Sequence, residues 1–192
     1  SDVCVAPDGS LLIADWHDPG VGGHRMQDIA RGRLFRVTKR GHSFVYQSPK
    51  IDPSQLEGAL LALKSPNQAT RYLGWQTLSR QPAQALPGLE AIWNSRHPRW
   101  QARALWLVVK MDTNPSTKFR WLKRALQDTN PDLRATVVRI AQQTDVPDLA
   151  DFIWENIDLN DPSPAVRREL LIALSEKQIH KVRSEEHTSE LQ

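Results

Sequence analysis

Four prolines constrain this chain more than anything else in it. Ser65-Pro66, His97-Pro98, Asn130-Pro131 and Ser163-Pro164 recur at intervals of 32, 33 and 33 residues. Each is followed by an arginine: Arg71, Arg103, Arg134 and Arg167. Proline is well tolerated at the start of a helix, where its missing N–H would have no intrahelical partner anyway. Apolar runs accompany the arginines: Tyr72-Leu73-Gly74-Trp75, Ala104-Leu105-Trp106-Leu107, Ala135-Thr136-Val137-Val138 and Leu170-Leu171-Ile172-Ala173-Leu174. Alternate helices are expected over 83–94, 116–127 and 147–156. Ahead of them, Leu56, Leu60 and Leu63 are spaced by four and three, which is one face of a helix over 55–64. The spacing therefore predicts a helical hairpin of about 33 residues, repeated four times across 54–182. Such a hairpin cannot bury its apolar face alone and must stack on its neighbours, which is the definition of an α-solenoid.

The first 47 residues follow a different period. Val3-Cys4-Val5-Ala6 and Leu11-Leu12-Ile13-Ala14 flank Pro7-Asp8-Gly9-Ser10, a turn in which proline presets φ and glycine accepts positive φ. Leu34-Phe35-Arg36-Val37 and Phe44-Val45-Tyr46 flank a second reversal at Lys39-Arg40-Gly41. These segments predict a small four-stranded antiparallel sheet. A sheet of that size is marginal in water and needs something to pack on. The connection between its second and third strands is long and polar, from Asp15 to Gly32, and long ordered connections usually carry function. Residues 48–53 read as the link to the helices.

Composition narrows the classes of activity. At 192 residues, 40% hydrophobic and 24% charged, the chain has the make-up of a globular protein, and it contains no apolar run long enough to span a membrane. No signal peptide is expected in its opening stretch. A single cysteine, Cys4, excludes an internal disulfide, a four-thiolate zinc site and a Cys-x-x-Cys-His haem attachment. Glycine-rich phosphate loops and His-Glu-x-x-His are absent, and a net charge of +3 is too small to argue for nucleic acid by itself. The last ten residues, Arg183 to Gln192, carry no apolar period and look like translated sequencing adapter. They are expected to be an artefactual, disordered tail, the natural protein continuing beyond Val182.

Asn130-Pro131-Asp132-Leu133-Arg134 and Ser163-Pro164-Ala165-Val166-Arg167 resemble the Pro-x-Val-Arg start of the second helix in HEAT repeats. The first two repeats depart from it, with four residues rather than two between proline and arginine, so an offset of their helix starts is expected. The strand, Pro-Asp-Gly, strand pattern followed by Gly32-Arg33-Leu34-Phe35-Arg36-Val37 resembles one blade of a β-propeller of the sugar and sorbosone dehydrogenase type. Asp15-Trp16-His17-Asp18-Pro19-Gly20-Val21-Gly22-Gly23-His24-Arg25-Met26 is similar to the last blade of the membrane-bound dehydrogenases of planctomycetes and verrucomicrobia. In those proteins HEAT-like repeats and often a cytochrome c-type haem domain follow the propeller. The resemblance implies a fragment of an extracytoplasmic oxidoreductase, periplasmic or membrane-associated, acting on sugar- or alcohol-like substrates. It implies a PQQ-type quinone and haem c in the parent, with neither bound by this fragment. The solenoid would be a spacer and docking surface, and its partners the missing blades, the downstream domain and a protein seated on the helices. The alternative is a non-catalytic interaction scaffold; a nucleic-acid-binding solenoid is less favoured.

In a four-stranded blade the long second-to-third connection lies on the ring face opposite the two tight turns. That geometry places Asp15, His17, Asp18, His24 and Arg25 at the mouth of the propeller channel, as the candidate catalytic residues. Carboxylates with imidazoles, Asp28 included, suit a divalent cation or acid–base chemistry. They equally suit a loop that holds itself together through backbone N–H bonds, and that reading is favoured, with no metal site assigned. The repeat arginines are expected to fix stacking by bonding an acid or carbonyl of a neighbouring repeat, with Asp128, Asp132 and Asp161 as acceptors. Trp75, Trp106 and Trp154 are expected in the core, and Trp100 and Trp121 at the surface among cations. From Arg96 to Arg139 ten Lys or Arg stand against three Asp, and from Asp145 to Glu176 eight acids stand against two arginines. The basic stretch suits phosphate contacts, but a solvated or docking face is the preferred reading. Cys4 is expected to be a small buried hydrophobe.

Overall fold

A computed structural model describes residues 2–15, 31–41, 45–111, 113–144 and 148–175. It is mainly helical, with one small antiparallel sheet. By its contacts the chain divides into two units, Ser1–Gln81 and Pro82–Gln192, and the 48–53 link lies inside the first.

In the first unit, β1 (Asp2–Val5), β2 (Leu11–Asp15) and β3 (Arg33–Val37) pair antiparallel in the order β1-β2-β3. The reversal between β1 and β2 closes where Ala6 N donates to Ser10 O at 2.8 Å and Gly9, at φ +87°, donates to Ala6 O at 2.9 Å. Asp8 locks that turn. Its carboxylate accepts from Ser10 N at 2.9 Å and Ser10 Oγ at 2.6 Å, and from Arg36 Nη2 of β3 at 2.6 Å. The Ser10 hydroxyl and amide, with the Arg36 guanidinium, hold the Asp8 carboxyl down at about 2.

The expected fourth strand is not among the described strands: the sheet has three. Phe44 lies outside the described residues, and neither Val45 nor Tyr46 lies in a strand. Pro49, three residues past Tyr46, cannot donate to a ladder. Tyr46 instead places its ring under Arg36, with the guanidinium carbon 5.5 Å from the centroid.

The described helices of this unit are α1 (Leu56–Lys64) and α2 (Gln68–Ser79). They approach closely at Gly74, where an added Cβ would lie 2.6 Å from Ala59 O and 2.8 Å from Ala62 Cβ. Asn67 caps α2 by accepting from Thr70 N at 2.7 Å, and its side-chain amide donates to the Val5 carbonyl of β1. Pro66 sits one residue ahead of that cap and packs on the Gly9 turn. The start of α2 is thus offset two residues past its proline, as the longer proline–arginine spacing predicts. The next helix shows no such offset.

The second unit contains α3 (Pro82–Asn94), α4 (Pro98–Lys110), α5 (Pro115–Leu126), α6 (Pro131–Gln143), α7 (Leu149–Asn156) and a further helical run over 164–175. α3, α4, α5, α6 and the 164–175 run all open on proline. Asn114 and Asn130 add side-chain caps, accepting from Ser116 N and Asp132 N, each at 2.9 Å. From α3 to α7 each helix contacts the next, and α4 also contacts α6 as α5 contacts α7. Leu105, Leu107 and Val108 of α4, Leu122 of α5, and Leu133, Val137 and Ile140 of α6 are fully buried. Trp93 and Trp121 meet edge-on, 5.3 Å between centroids at 75°. Ala135 and Val138 of α6 are covered by Val166 and Leu170 of the 164–175 run.

Candidate functional site

Of the residues read as lining a channel mouth, Asp15 is described; His17, Asp18, His24, Arg25 and also Asp28 lie outside the described residues. Asp15 ends β2, exposed, with Arg33 of β3 as its cross-strand partner. Among the described residues there is no group of three or more His, Cys, Asp or Glu that could hold a metal ion.

The register shows what Asp15 stands beside. Side chains alternate faces along a strand and cross-strand partners share a face. The pairs Val3↔Ile13, Val5↔Leu11, Leu11↔Val37 and Ile13↔Phe35 therefore put Val3, Val5, Leu11, Ile13, Phe35 and Val37 on one side of the sheet. The Asp15–Arg33 pair is its charged margin. Every residue of this patch but Ile13 is exposed, Val3 by 59%, Phe35 by 45% and Val37 by 49%. A contiguous apolar sheet face left in water is uncommon in a self-contained domain. The margin nearest α2 forms an open groove of 720 Å³ whose walls include Val3, Val5 and Leu11 on the sheet side and Pro66, Ala69 and Tyr72 on the helix side.

The opposite face carries Cys4, which is exposed, contrary to the sequence expectation. β1 is an edge strand of the described sheet, and no layer among the described residues covers Cys4 there. The sequence signal of a small apolar-type residue in a strand says nothing about whether a second layer exists.

The repeat arginines are expected to bond an acid or carbonyl of a neighbouring repeat: Arg134 does so through Asp161, whereas Arg71 and Arg167 bond carbonyls in the turn before their own helix. Arg71 Nη1 donates to Ser65 O at 3.1 Å and Pro66 O at 2.6 Å; Arg134 Nη1 donates to Asp128 O at 2.8 Å and Thr129 O at 3.2 Å; Arg167 Nη1 donates to Asp161 O at 2.6 Å. Each reaches back to the carbonyl six residues before it, in the turn leading into its own helix. Arg134 does more. Its Nε and Nη2 make a fork on Asp161, at 2.6 and 2.9 Å, binding its own helix to the turn before the next. Asp161 is held below the usual carboxylate range, first by that fork and then by the Ser163 amide and the neighbouring arginines. Asp128 accepts from Arg96 at 3.4 Å.

A second rung lies farther along α6. Arg139 Nη2 and Arg168 Nη2 both bond Glu169 Oε1, at 2.8 and 2.7 Å, and hold that carboxyl down at about 2, Arg139 having the larger effect. Arg124 bonds Glu90 of α3 at 2.7 Å while its guanidinium carbon lies 5.0 Å and 5.7 Å from the ring centroids of Trp93 and Trp121. Sequence reasoning missed Glu90, Glu169 and Arg139, although their spacing, close to one repeat, is a signal that the period itself offers.

The tryptophans sort differently from expectation. Trp121 is fully buried (0% exposed) rather than at the surface, because α5 turns it against Trp93 and Arg124 covers the pair. Trp75, Trp106 and Trp154, expected in the core, are half-buried, and so is Trp100, which stacks on His97 at 4.1 Å. Among the described residues Arg96, Arg124, Arg134 and Arg139 of the basic stretch form ion pairs, and two of their acids, Asp161 and Glu169, belong to the acidic stretch. No helix among the described residues is long and apolar enough to cross a membrane. No protein-family model, curated protein or solved structure matches the chain.

Proposed function

We propose that this chain is a docking scaffold: a sheet that forms one blade of a larger β-propeller, joined to a HEAT-like α-solenoid of stacked hairpins. The observation that carries the reading is the uncovered apolar sheet face of Val3, Val5, Leu11, Ile13, Phe35 and Val37. Stacked sheets pack about 10 Å apart through faces of this kind. Its occupant is a neighbouring sheet. The contacts of alternate helices α4·α6 and α5·α7 support the solenoid.

The setting implied by the blade resemblance is an extracytoplasmic dehydrogenase of sugar- or alcohol-like substrates. In it this chain spaces and docks the redox modules and turns over nothing itself. A single cysteine cannot make the two thioether links of haem c, so that group belongs elsewhere in such a protein. Purified chain, supplied with aldoses or alcohols and a quinone or dye acceptor, gives no turnover, and an apolar fluorescent dye binds it through the sheet. Val3→Lys with Phe35→Lys abolishes the dye signal while the helical circular dichroism stays. Dehydrogenation by the chain alone, or dye binding that survives the double substitution, overturns the proposal.

A further inference from the structure

The helical run 164–175 ends the described stack with a face that repeats part of the one α6 presents to it. Counting 33 residues on, Pro131 corresponds to Pro164, Arg134 to Arg167, Val138 to Leu171 and Asp128 to Asp161. Val138 is 1% exposed because Val166 and Leu170 cover it, whereas Leu171 in the same position is 67% exposed. Arg134 is forked onto Asp161 with 14% of its side chain exposed. Arg167 is exposed and donates to its own Asp161 carbonyl, and to no carboxylate among the described residues. Arg168 stands where Ala135 does, so what recurs one repeat on is the arginine and one apolar position, Leu171, without the cover that Arg134 and Val138 have on α6.

We infer that this end is a docking face for a further hairpin of the same repeat class, following in the same polypeptide, with an acid three residues ahead of its proline to receive Arg167. A second copy of the chain fits poorly. Three residues ahead of Pro98 stands Ser95 and ahead of Pro66 stands Leu63, so neither leading hairpin offers Arg167 a carboxylate. A lone hairpin supplied from outside would have to be ordered at its own cost, since short helices are unstable alone in water. The inference rests on the stacked-hairpin reading proposed above and deepens it.

The test extends the full chain by duplicating residues 145–175 immediately after Ser175. The extension raises Tm by about 3 °C, as a gain near 1 kcal/mol does in a chain of this length. It also slows amide exchange across 164–175 at least tenfold. Carrying Asp161→Ala in the copy alone, or Leu171→Glu in the original hairpin, removes most of both gains. An unmoved Tm with unchanged exchange over 164–175, gains that survive both substitutions, or aggregation of the extended chain overturns the inference. Amide exchange in α6 of the unextended chain separates the two readings. Protection over Val137–Ile140 upholds the stack even if the end face refuses the hairpin, and its absence there sinks the stack itself.

Discussion

Single residues carry unequal shares of this structure, and the difference follows from what each would leave behind. Asp161 is 3% exposed and receives the Arg134 fork while its backbone carbonyl receives Arg167. Asp161→Ala strips a charged partner from Arg134, and hydrogen bonds to charged groups contribute about 2 kcal/mol. Denaturant unfolding of the variant shows that loss; a change under 0.5 kcal/mol, on the order of an ordinary surface substitution, would place the fork among ornamental surface pairs. Gly74 is sensitive for a steric reason. Gly74→Ala drives a methyl group into Ala59 O and Ala62 Cβ, so α1 and α2 must separate. The cost is about 2 kcal/mol, the middle of the range for overpacking, even though alanine is the better helix former. Thermal melting checks the sign: a variant more stable than the parent means that α1 and α2 are not held at this distance. The arginines were legible in the sequence because they recur with the period. Glu169 and Glu90 were not, because one acid among many on a charged chain has no pattern until its partner is known.

At the scale of elements, helices and sheet differ in how completely local sequence specifies them. The helices at 83–94, 116–127 and 147–156 were expected from spacing and appear as α3 (Pro82–Asn94), α5 (Pro115–Leu126) and α7 (Leu149–Asn156). Proline and asparagine at the starts fix the N-termini by local chemistry alone. Strand pairing is not local. Residues 44–46 have strand composition, yet neither Val45 nor Tyr46 lies in a strand, and Tyr46 is engaged by Arg36. Arg36 in turn is held by Asp8 and Ser10 of the first turn. Asp8→Asn weakens that link between turn and third strand. Amide exchange in β3 then accelerates relative to β1, and equal rates in variant and parent would show that Arg36 is positioned by something else.

Across the whole molecule, charge and stability are linked through the depressed carboxylates. Glu169 is held near 2 against an ordinary 4.5, and Asp161 and Asp8 are lowered too. A carboxyl whose folded pKa is depressed binds fewer protons folded than unfolded, so its contribution is complete above the ordinary range and fades as pH falls through the folded value. Tm therefore holds from neutral pH to about 5 and declines from about 4.5 toward 2. Glu169→Gln flattens part of that decline; an acid limb as steep in the variant as in the parent would show that other groups govern it. The sequence by itself determined the alternate helices, their proline-led starts and a separate β segment, since each depends on contacts a few residues apart; that the arginines reach back into their own turns was seen only in the structure. Only the tertiary structure decided that the sheet has three described strands, that one whole face of it is apolar and open, that Trp121 is buried and Cys4 is not, and which acid meets which arginine. Those outcomes depend on which distant residues come to share a layer, and burial belongs to the layer rather than to the residue.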